Sequence, residues 1–369
     1  MRGHIRRRSK DSWAVVVELP RDPETGKRRQ RWVTVRGPKR EAERVLNELL
    51  AEAGKGMIGT APKSLTVSQY LDTWLQTVQD SVRPQTFRVW KSHLKHWKET
   101  LGDIPLVELT PLDVQRALAQ LASRLSNRSR RTIFTVLRVA TKQAVKWGLV
   151  GRCPTDGVRL PANTPREMQV WNEEEIERFL EAAKRTRCYS LFYTALTTGM
   201  RLGELLGLTW DNVNFDRREI VVQKTLFMPV KGEPVWQEPK TPRSRRRIPI
   251  DEGTVRVLQH WRKKQLEERL QAGPAWHDYN LVFTTSNGRP IDFGFVAGRL
   301  KAAAQRAGVP KIRFHDLRHT HATILLRQGI HPKVVSERLG HASVALTLDT
   351  YSHVLPDTQR EAVKALERV

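Results

Sequence analysis

The stretch HDLRHTHATILLRQGIHPKVVSERLGHASVALTLDTYSH, residues 315–353, concentrates histidines, arginines and a late tyrosine in one segment. His315 and Arg318 are three residues apart, so they share one face of a predicted helix. Arginine can grip a phosphate through two parallel hydrogen bonds, and a histidine beside it can transfer a proton near neutral pH. Gly340 is expected to end a helical run and to turn the chain so that His341 is presented. The stretch therefore predicts half of a site for chemistry at a phosphate.

A zinc site is the first alternative for the HDLRH segment, because His315 and His319 have the spacing of a zinc-protease helix. Such helices use glutamate as the general base, and Asp316 is one carbon shorter. His319 and His321 are predicted to be packing or helix-side residues rather than catalytic ones. The acids elsewhere are scattered among bases and form no pair for a two-metal nuclease, and no GxxxxGK[ST] or GxGxxG motif suggests a nucleotide. We expect a site without a metal or another cofactor.

The composition points to a polyanionic partner. The chain has 64 Lys and Arg against 39 Asp and Glu, a net charge of +25. Nucleic acid is the favoured partner, since each phosphate contact by Lys or Arg releases counterions. Charge alone leaves open a basic protein that binds ribosomes or membranes. Two cysteines form no disulfide framework, and no apolar run approaches the roughly 20 residues that span a bilayer, so we expect a soluble protein of the bacterial cytoplasm.

A chain of 369 residues is too long to fold around one compact core, so several domains are expected. Stretches rich in Gly and Pro at 54–64 and 151–170 are typical of linkers. The predicted fold is multidomain and mainly helical with small β elements. The expected domains are an N-terminal sheet-plus-helix module, a helical domain and a mixed α+β catalytic domain, at 1–60, 65–150 and 165–369.

The N-terminal module has two strand candidates, Trp13–Leu19 and Arg31–Val35, followed by a helical pattern over Pro38–Ala53. A small sheet with a basic fringe can enter a DNA groove, whereas the plainer alternative is a solvated charged face. We predict DNA contact by the basic residues in and around these strands: Arg6, Arg7, Arg8, Lys10, Lys27, Arg28, Arg29 and Arg31.

The helical domain has four predicted helices, which open at Val67, Pro84, Pro111 and Asn127. In the fourth, basic residues share one face and apolar residues lie broadly opposite. An ordinary exposed face usually mixes charges, but no acid occurs between Asn127 and Trp147. The predicted DNA contacts on this helix are Arg128, Arg131, Arg138 and Lys142.

Three segments together resemble the tyrosine recombinases, or phage integrase family: TGMRLGELLGLTW at 198–210, HDLRHTHAT at 315–323 and LGHASVALTLDTYSH at 339–353. The order Arg, Lys, His-x-x-Arg, His, Tyr is also that of the family. The resemblance covers the whole C-terminal domain, and the layout of the two earlier domains is similar. It implies an arm-type DNA-binding domain at the N-terminus and a SAM-like core-binding domain after it.

The resemblance also implies roles for individual residues. Arg201 and Arg318 would hold the scissile phosphate, and Tyr351 would be the nucleophile that forms a 3′-phosphotyrosine. His315 would be the general base, and His341 would donate a hydrogen bond to the phosphate.

Three further assignments follow from the same resemblance. Lys240 would protonate the leaving 5′-oxygen, although Lys224 and Lys231 lie nearby, and Glu204 would orient the site. Basic residues beside Lys240 are predicted DNA contacts, namely Arg243 and Arg245.

The implied partners are double-stranded DNA at core and arm attachment sites, three further copies of the chain in a synaptic homotetramer, and accessory proteins that bend DNA or direct excision. A helix over 357–369 is expected to be exchanged within that tetramer. The implied function is site-specific recombination that integrates and excises a mobile element such as a prophage. Two alternatives to it remain: a type IB topoisomerase with the same chemistry, and a non-catalytic DNA-binding regulator.

Overall fold

The structure, a computed structural model, describes residues 2–19, 29–54, 61–163, 168–227, 234–237 and 245–351. The chain divides into two compact units, Met1–Pro165 and Arg166–Val369. The division falls inside the stretch 151–170 that was predicted to be a linker. Within the described ranges, every helix is too short or too polar to cross a membrane.

The first unit begins with an antiparallel sheet in the order β1 (Gly3–Ser9), β2 (Ser12–Leu19) and β3 (Arg29–Arg36). Helix α1 (Lys39–Gly54) packs against it. Alternating residues of β2 and β3 meet the apolar side of α1, and the buried members are Val15, Val17, Ala42 and Leu49. The two predicted strands and the helix are confirmed.

Strand β1 was not predicted, because its sequence GHIRRRS has little of the β-branched or aromatic character of a strand. It forms by pairing with β2, in a register that places Ile5 opposite Val15 and Arg6 opposite Ala14.

Four helices follow in the first unit and begin at the predicted residues: α2 (Val67–Val78), α3 (Pro84–Leu101), α4 (Pro111–Gln120) and α5 (Asn127–Lys146). Thr66 and Thr110 begin α2 and α4 with capping boxes, and Ser126 caps α5. Buried aromatic side chains hold these helices together, because their polar ends reach backbone carbonyls. Tyr70 Oη donates to Ala140 O at 2.6 Å, and Trp97 Nε1 donates to Ile133 O at 3.0 Å.

The second unit is mixed. Its helices are α6 (Glu173–Ala183), α7 (Tyr189–Thr198), α8 (Leu202–Leu206), α9 (Glu252–Ala272), α10 (Phe293–Ala307), α11 (Phe314–Arg327), α12 (Pro332–Leu339) and α13 (Val344–Tyr351). A three-stranded sheet has the order β4-β5-β8, and β6 pairs with β7; the strands are β4 (Val213–Asn214), β5 (Glu219–Val222), β6 (Thr225–Phe227), β7 (Val235–Gln237) and β8 (Arg246–Pro249). Two isolated bridges join Leu281 to Thr209 and Thr284 to Pro290.

Two glycines end helices in the left-handed conformation and so position the neighbouring site residues. Gly199 closes α7 with φ 64°, and Gly340 closes α12 with φ 67°, as predicted for Gly340. Arg201 follows the first of these turns, and His341 follows the second.

Several predictions fall on residues that the structure does not describe. They concern Lys27, Arg28, Lys231, Lys240, Arg243 and the helix expected over 357–369.

Candidate active site

Arg318 is the most enclosed charged side chain of the predicted site, with 3% of its surface exposed. Its guanidinium donates to Gly199 O at 2.8 Å and to Leu339 O at 2.7 Å. These carbonyls belong to the ends of α7 and α12, where the helix dipole favours positive charge. Burial and the nearby charge of Arg201 lower the pKa of Arg318 to about 9, so the group remains charged at neutral pH. The two helix ends thus hold one cation in a single orientation.

Arg201 lies beside it and keeps 38% of its side chain exposed. One nitrogen donates to Gly340 O at 3.3 Å and another to Glu204 Oε1 at 2.8 Å. The second oxygen of Glu204 accepts from the backbone N–H of Arg201 at 2.9 Å. Glu204 therefore caps α8 and holds the arginine side chain at the same time.

Arg246 joins this group, although the sequence did not single it out. It bonds to both oxygens of Glu204, at 3.2 and 2.9 Å, and donates to Arg338 O at 2.6 Å. The side chains of Arg246 and Glu204 are only 6% and 4% exposed. Burial acts to raise the pKa of Glu204, but the charges of Arg246 and Arg201 outweigh it and lower the pKa to about 2. The available signal was the alternation along β8, which turns Arg246 inward and leaves Arg247 exposed.

Tyr351 ends α13 with 1% of its surface exposed, among Ala322, Leu326, Val335 and Leu339. A hydrogen bond of 2.7 Å joins its Oη to Nδ1 of His319. Burial raises the pKa of Tyr351 to about 12, against the opposing effect of the Arg318 charge. His319 was expected to be a packing residue, but it contacts the predicted nucleophile directly.

His315 lies next to His319, with the two rings edge to face and their centroids 4.8 Å apart. The spacing i, i+4 already placed both rings on one helical face. The sequence could therefore have suggested His319 as a site residue, but it could not say which ring meets the tyrosine. Partial burial, followed by the charges of Arg318 and Arg201, lowers the pKa of His315.

His341 directly follows Gly340, the residue that ends α12, and is the last member of the cluster. Its Nδ1 lies 2.7 Å from the hydroxyl of Thr347. Burial and the charges of Arg318, Arg201 and Arg246 lower its pKa to about 4. A neutral imidazole keeps one N–H, which is what donation to a phosphate oxygen requires.

The structure therefore brings together most of the predicted catalytic set: Arg201, Glu204, His315, Arg318, His341 and Tyr351. Lys240 lies outside the described residues. In the described part of the chain, no three His, Cys, Asp or Glu side chains group as a metal ion would require.

The predicted DNA contacts lie on three surfaces. On the N-terminal sheet, Arg6 and Arg8 are exposed, and Arg8 donates to Thr34 Oγ1 at 3.4 Å. Arg7 contacts the Trp13 ring with its guanidinium carbon 5.8 Å from the centroid. Lys10 and Arg31 are exposed, and the backbone of Arg29 begins β3.

Helix α5 exposes Arg128, Arg138 and Lys142. Arg128 and Arg131 line an open cleft of about 480 Å³ whose far wall, on α3, includes Trp90 and His93. In the second unit, Arg245 lines an open pocket of about 410 Å³ together with Lys224 and Arg247.

Known protein families match parts of both units of the chain. Residues 169–357 match the model of the phage integrase family, and residues 66–122 match the N-terminal SAM-like domain of phage integrases. A tyrosine recombinase XerC-like protein of Caldanaerobacter subterraneus is 31% identical over 97% of this chain and 96% of its own length. An integrase of Streptomyces ambofaciens is 30% identical over 95% and 92%.

Solved structures share the fold. The Tn1549 transposon integrase in complex with circular intermediate DNA superimposes with a TM-score of 0.70 at 22% identity, over 82% of this chain and 100% of that one. A lambda integrase dimer bound to a core site gives a TM-score of 0.59 at 17% identity, over 96% and 95%.

The fold and the cluster of arginines, histidines and tyrosine define an enzyme that acts on DNA through a tyrosine nucleophile. The chain belongs to the phage integrase family. It is a tyrosine site-specific recombinase of the integrase type.

Proposed function

We propose that this enzyme integrates and excises a mobile element, such as a prophage, by cutting and rejoining DNA at paired attachment sites. The observation that carries the proposal is the arrangement of two arginines: Arg201 and Arg318 are both anchored on the carbonyls of helix ends, and the charge of Arg318 acts on Tyr351. Relatives that act on such elements support it: they include the ICEBs1 integrase of Bacillus subtilis and the integrase of Staphylococcus phage L54a.

In the cleavage step, Tyr351 Oη attacks the scissile phosphorus, and the bond from phosphorus to the 5′-oxygen breaks. The phosphoryl oxygens gain negative charge in the transition state. Arg201 and Arg318 stabilise that charge, because guanidinium groups stay protonated and are already oriented before DNA arrives. The product is a 3′-phosphotyrosine with a free 5′-hydroxyl.

The remaining residues handle hydrogen bonds and protons. His341 donates a hydrogen bond to a phosphate oxygen, and Lys240 supplies the proton for the leaving 5′-oxygen. His315 accepts the proton of Tyr351 as general base during cleavage and returns it during rejoining. The covalent intermediate keeps the energy of the broken bond, so the joining step needs no nucleotide.

DNA binding is divided between surfaces. The exposed arginines of the N-terminal sheet contact arm sites, and the basic face of α5 contacts the backbone of core sites. Binding of two kinds of site by one chain raises the effective concentration of each for the other. We propose a homotetramer at synapsis in the bacterial cytoplasm, assisted by DNA-bending and excision-directing proteins. A lambda integrase tetramer bound to a Holliday junction supports that assembly.

One experiment separates this function from its alternatives. The full chain is incubated with a nicked duplex that carries the attachment site from the junction of its element, and covalent adducts are resolved on a denaturing gel. We expect an adduct on this duplex that Tyr351→Phe abolishes. An adduct on any duplex would instead favour a type IB topoisomerase, and no adduct at all would favour a non-catalytic regulator.

A further inference from the structure

Glu204 lies between two arginines and pairs with both. Its Oε1 accepts from Arg201 at 2.8 Å and from Arg246 at 3.2 Å. Its Oε2 accepts from the backbone N–H of Arg201 and from the Arg246 side chain, each at 2.9 Å. Two guanidinium groups therefore share one carboxylate, so the three side chains together keep one net positive charge.

The two arginines differ in how much of each is exposed. Arg246 keeps 6% of its side chain exposed, whereas Arg201 keeps 38%. The Nε of Arg246 donates to Arg338 O at 2.6 Å, and its guanidinium packs against the turn at Gly340, where an added Cβ would lie 3.1 Å from Nη1. The same turn holds Arg201, which donates to Gly340 O at 3.3 Å. Of this pair, Arg201 is the one that is open enough to meet a phosphate.

The balance of charge gives the second arginine a purpose. A carboxylate paired with Arg201 alone would form a neutral pair, and a neutral pair attracts a phosphate poorly. Arg246 adds a second positive charge on the buried side of Glu204, where salt screens charges less than at the surface. Burial acts to raise the pKa of Glu204, but the charge of Arg246, followed by that of Arg201, lowers it to about 2. The carboxylate is therefore balanced from behind, and the charge of Arg201 is left for the DNA.

We propose that Arg246 is a positioning residue for cleavage, which neutralises Glu204 so that this carboxylate orients Arg201 without cancelling its charge. The inference rests on the proposed function, in which Arg201 stabilises the charge that develops on the phosphate. Arg246 acts through Glu204 and not by contact with the DNA. Its loss would leave Arg201 held in place but paired with an unbalanced carboxylate.

The first test needs no DNA. The carboxyl carbons of the glutamate side chains are labelled with ¹³C in the full chain, and Glu204→Gln assigns the Glu204 signal. At pH 4.5 the wild-type signal should be that of a carboxylate, because the pKa of Glu204 is about 2. In Arg246→Met the pKa of Glu204 should rise, and its signal at the same pH should move towards that of the acid. An unchanged signal would overturn the inference, whatever the enzyme does to DNA.

The second test measures the rate of adduct formation on saturating attachment-site DNA, with the affinity for the same DNA measured separately. We expect Arg246→Met to lower the rate on the order of 100-fold, because the charge of one oriented donor to the transition state is cancelled, and to change the affinity little by comparison. In the Glu204→Gln background the same substitution should cost less than about tenfold, since no carboxylate is left to cancel Arg201. Equal losses in the two backgrounds would overturn the inference.

Arg187→Met is the matched control. Arg187 also binds both oxygens of a glutamate, Glu268, and donates to a backbone carbonyl, Thr284 O, at 2.9 Å. This pair is also largely buried, but it joins the segment before α7 to α9. We expect Arg187→Met to lose stability, as Arg246→Met does, and to form the adduct at the wild-type rate. A rate as low as that of Arg246→Met would show that any broken ion pair has the same effect, and the inference would fail.

Arg246→Lys keeps the inference testable where Arg246→Met does not fold. Lysine keeps the positive charge beside Glu204 but loses the fork that binds both oxygens. Glu204 should therefore stay ionised at pH 4.5, and adduct formation should remain within about tenfold of the wild-type rate. A folded Arg246→Lys with a loss on the order of 100-fold would contradict the charge argument. If the wild-type chain forms no adduct, the proposed function fails, and the ¹³C measurement alone decides the charge balance at Glu204.

Discussion

The carboxylate of Glu204 and the guanidinium of Arg246 form a buried ion pair, 2.9 Å long, between strand β8 and the first turn of α8. The same carboxylate holds Arg201. Removing one partner from a buried pair leaves an uncompensated charge and costs about 3–5 kcal/mol. We expect Glu204→Gln to lower the free energy of unfolding of the second unit by that amount, measured by denaturant titration. Glu219→Gln is the control, since its partner Arg247 is largely exposed and the loss should stay below about 1 kcal/mol.

Glu204 also makes stability depend on pH. Its pKa is about 2 in the folded chain against an ordinary 4.5, so the ionised form stabilises the fold at pH values above 4.5. That contribution is lost as the pH falls from 4.5 towards 2. The wild-type free energy of unfolding should therefore decline over this window more steeply than that of Glu204→Gln. Parallel curves would show that Glu204 is not the responsible group.

Arg318 binds two carbonyls in a fixed fork, which lysine cannot reproduce. We expect Arg318→Lys to reduce adduct formation on the order of 100- to 1,000-fold, because one oriented donor to the transition state is lost. DNA affinity should change little by comparison. Arg327→Lys, at an exposed position near the end of the same helix, should retain activity. Equal losses in both variants would argue against a special role for Arg318.

Gly199 is required for two reasons that can be separated. Its φ of 64° disfavours other residues, and an added Cβ would lie 2.7 Å from both His321 Cδ2 and Leu339 Cδ2. Gly308 has φ 62° but open space around the Cβ position. We expect Gly308→Ala to cost about 1–2 kcal/mol for the backbone alone, and Gly199→Ala to cost more. Equal losses of unfolding free energy in the two variants would mean that the side chains around Gly199 move aside at little energetic cost.

The basic face of α5 should contribute through phosphate contacts. Arg138 and Lys142 are exposed, and each contact with a phosphate adds about 0.9 to the slope of log affinity against log salt. We expect Arg138→Ala with Lys142→Ala to reduce that slope by nearly two. Arg130→Ala is the control: Arg130 bonds to Leu118 O and Asn127 Oδ1, so its loss should affect stability and leave the slope unchanged.

Much of the fold could be predicted because its signals are local. Thr66, Thr110 and Asn172 each begin a helix with a capping box, a reciprocal pair of hydrogen bonds within four residues. Strand β1 could not be predicted, since its arginine-rich sequence becomes a strand only through pairing with β2.

The stretch 315–351 by itself determined the chemistry: an arginine and histidines at helical spacing, a glycine turn and a tyrosine that fit only a few reactions. Tertiary structure alone decided which atoms meet. It placed His319 on the Tyr351 hydroxyl and brought Arg246 to Glu204 across 42 residues of chain. Helical spacing assigns a residue to a face, but a hydrogen bond requires two atoms within about 3 Å at a suitable angle. Only the packing of α11 against α13, and of β8 beside α8, supplies that precision.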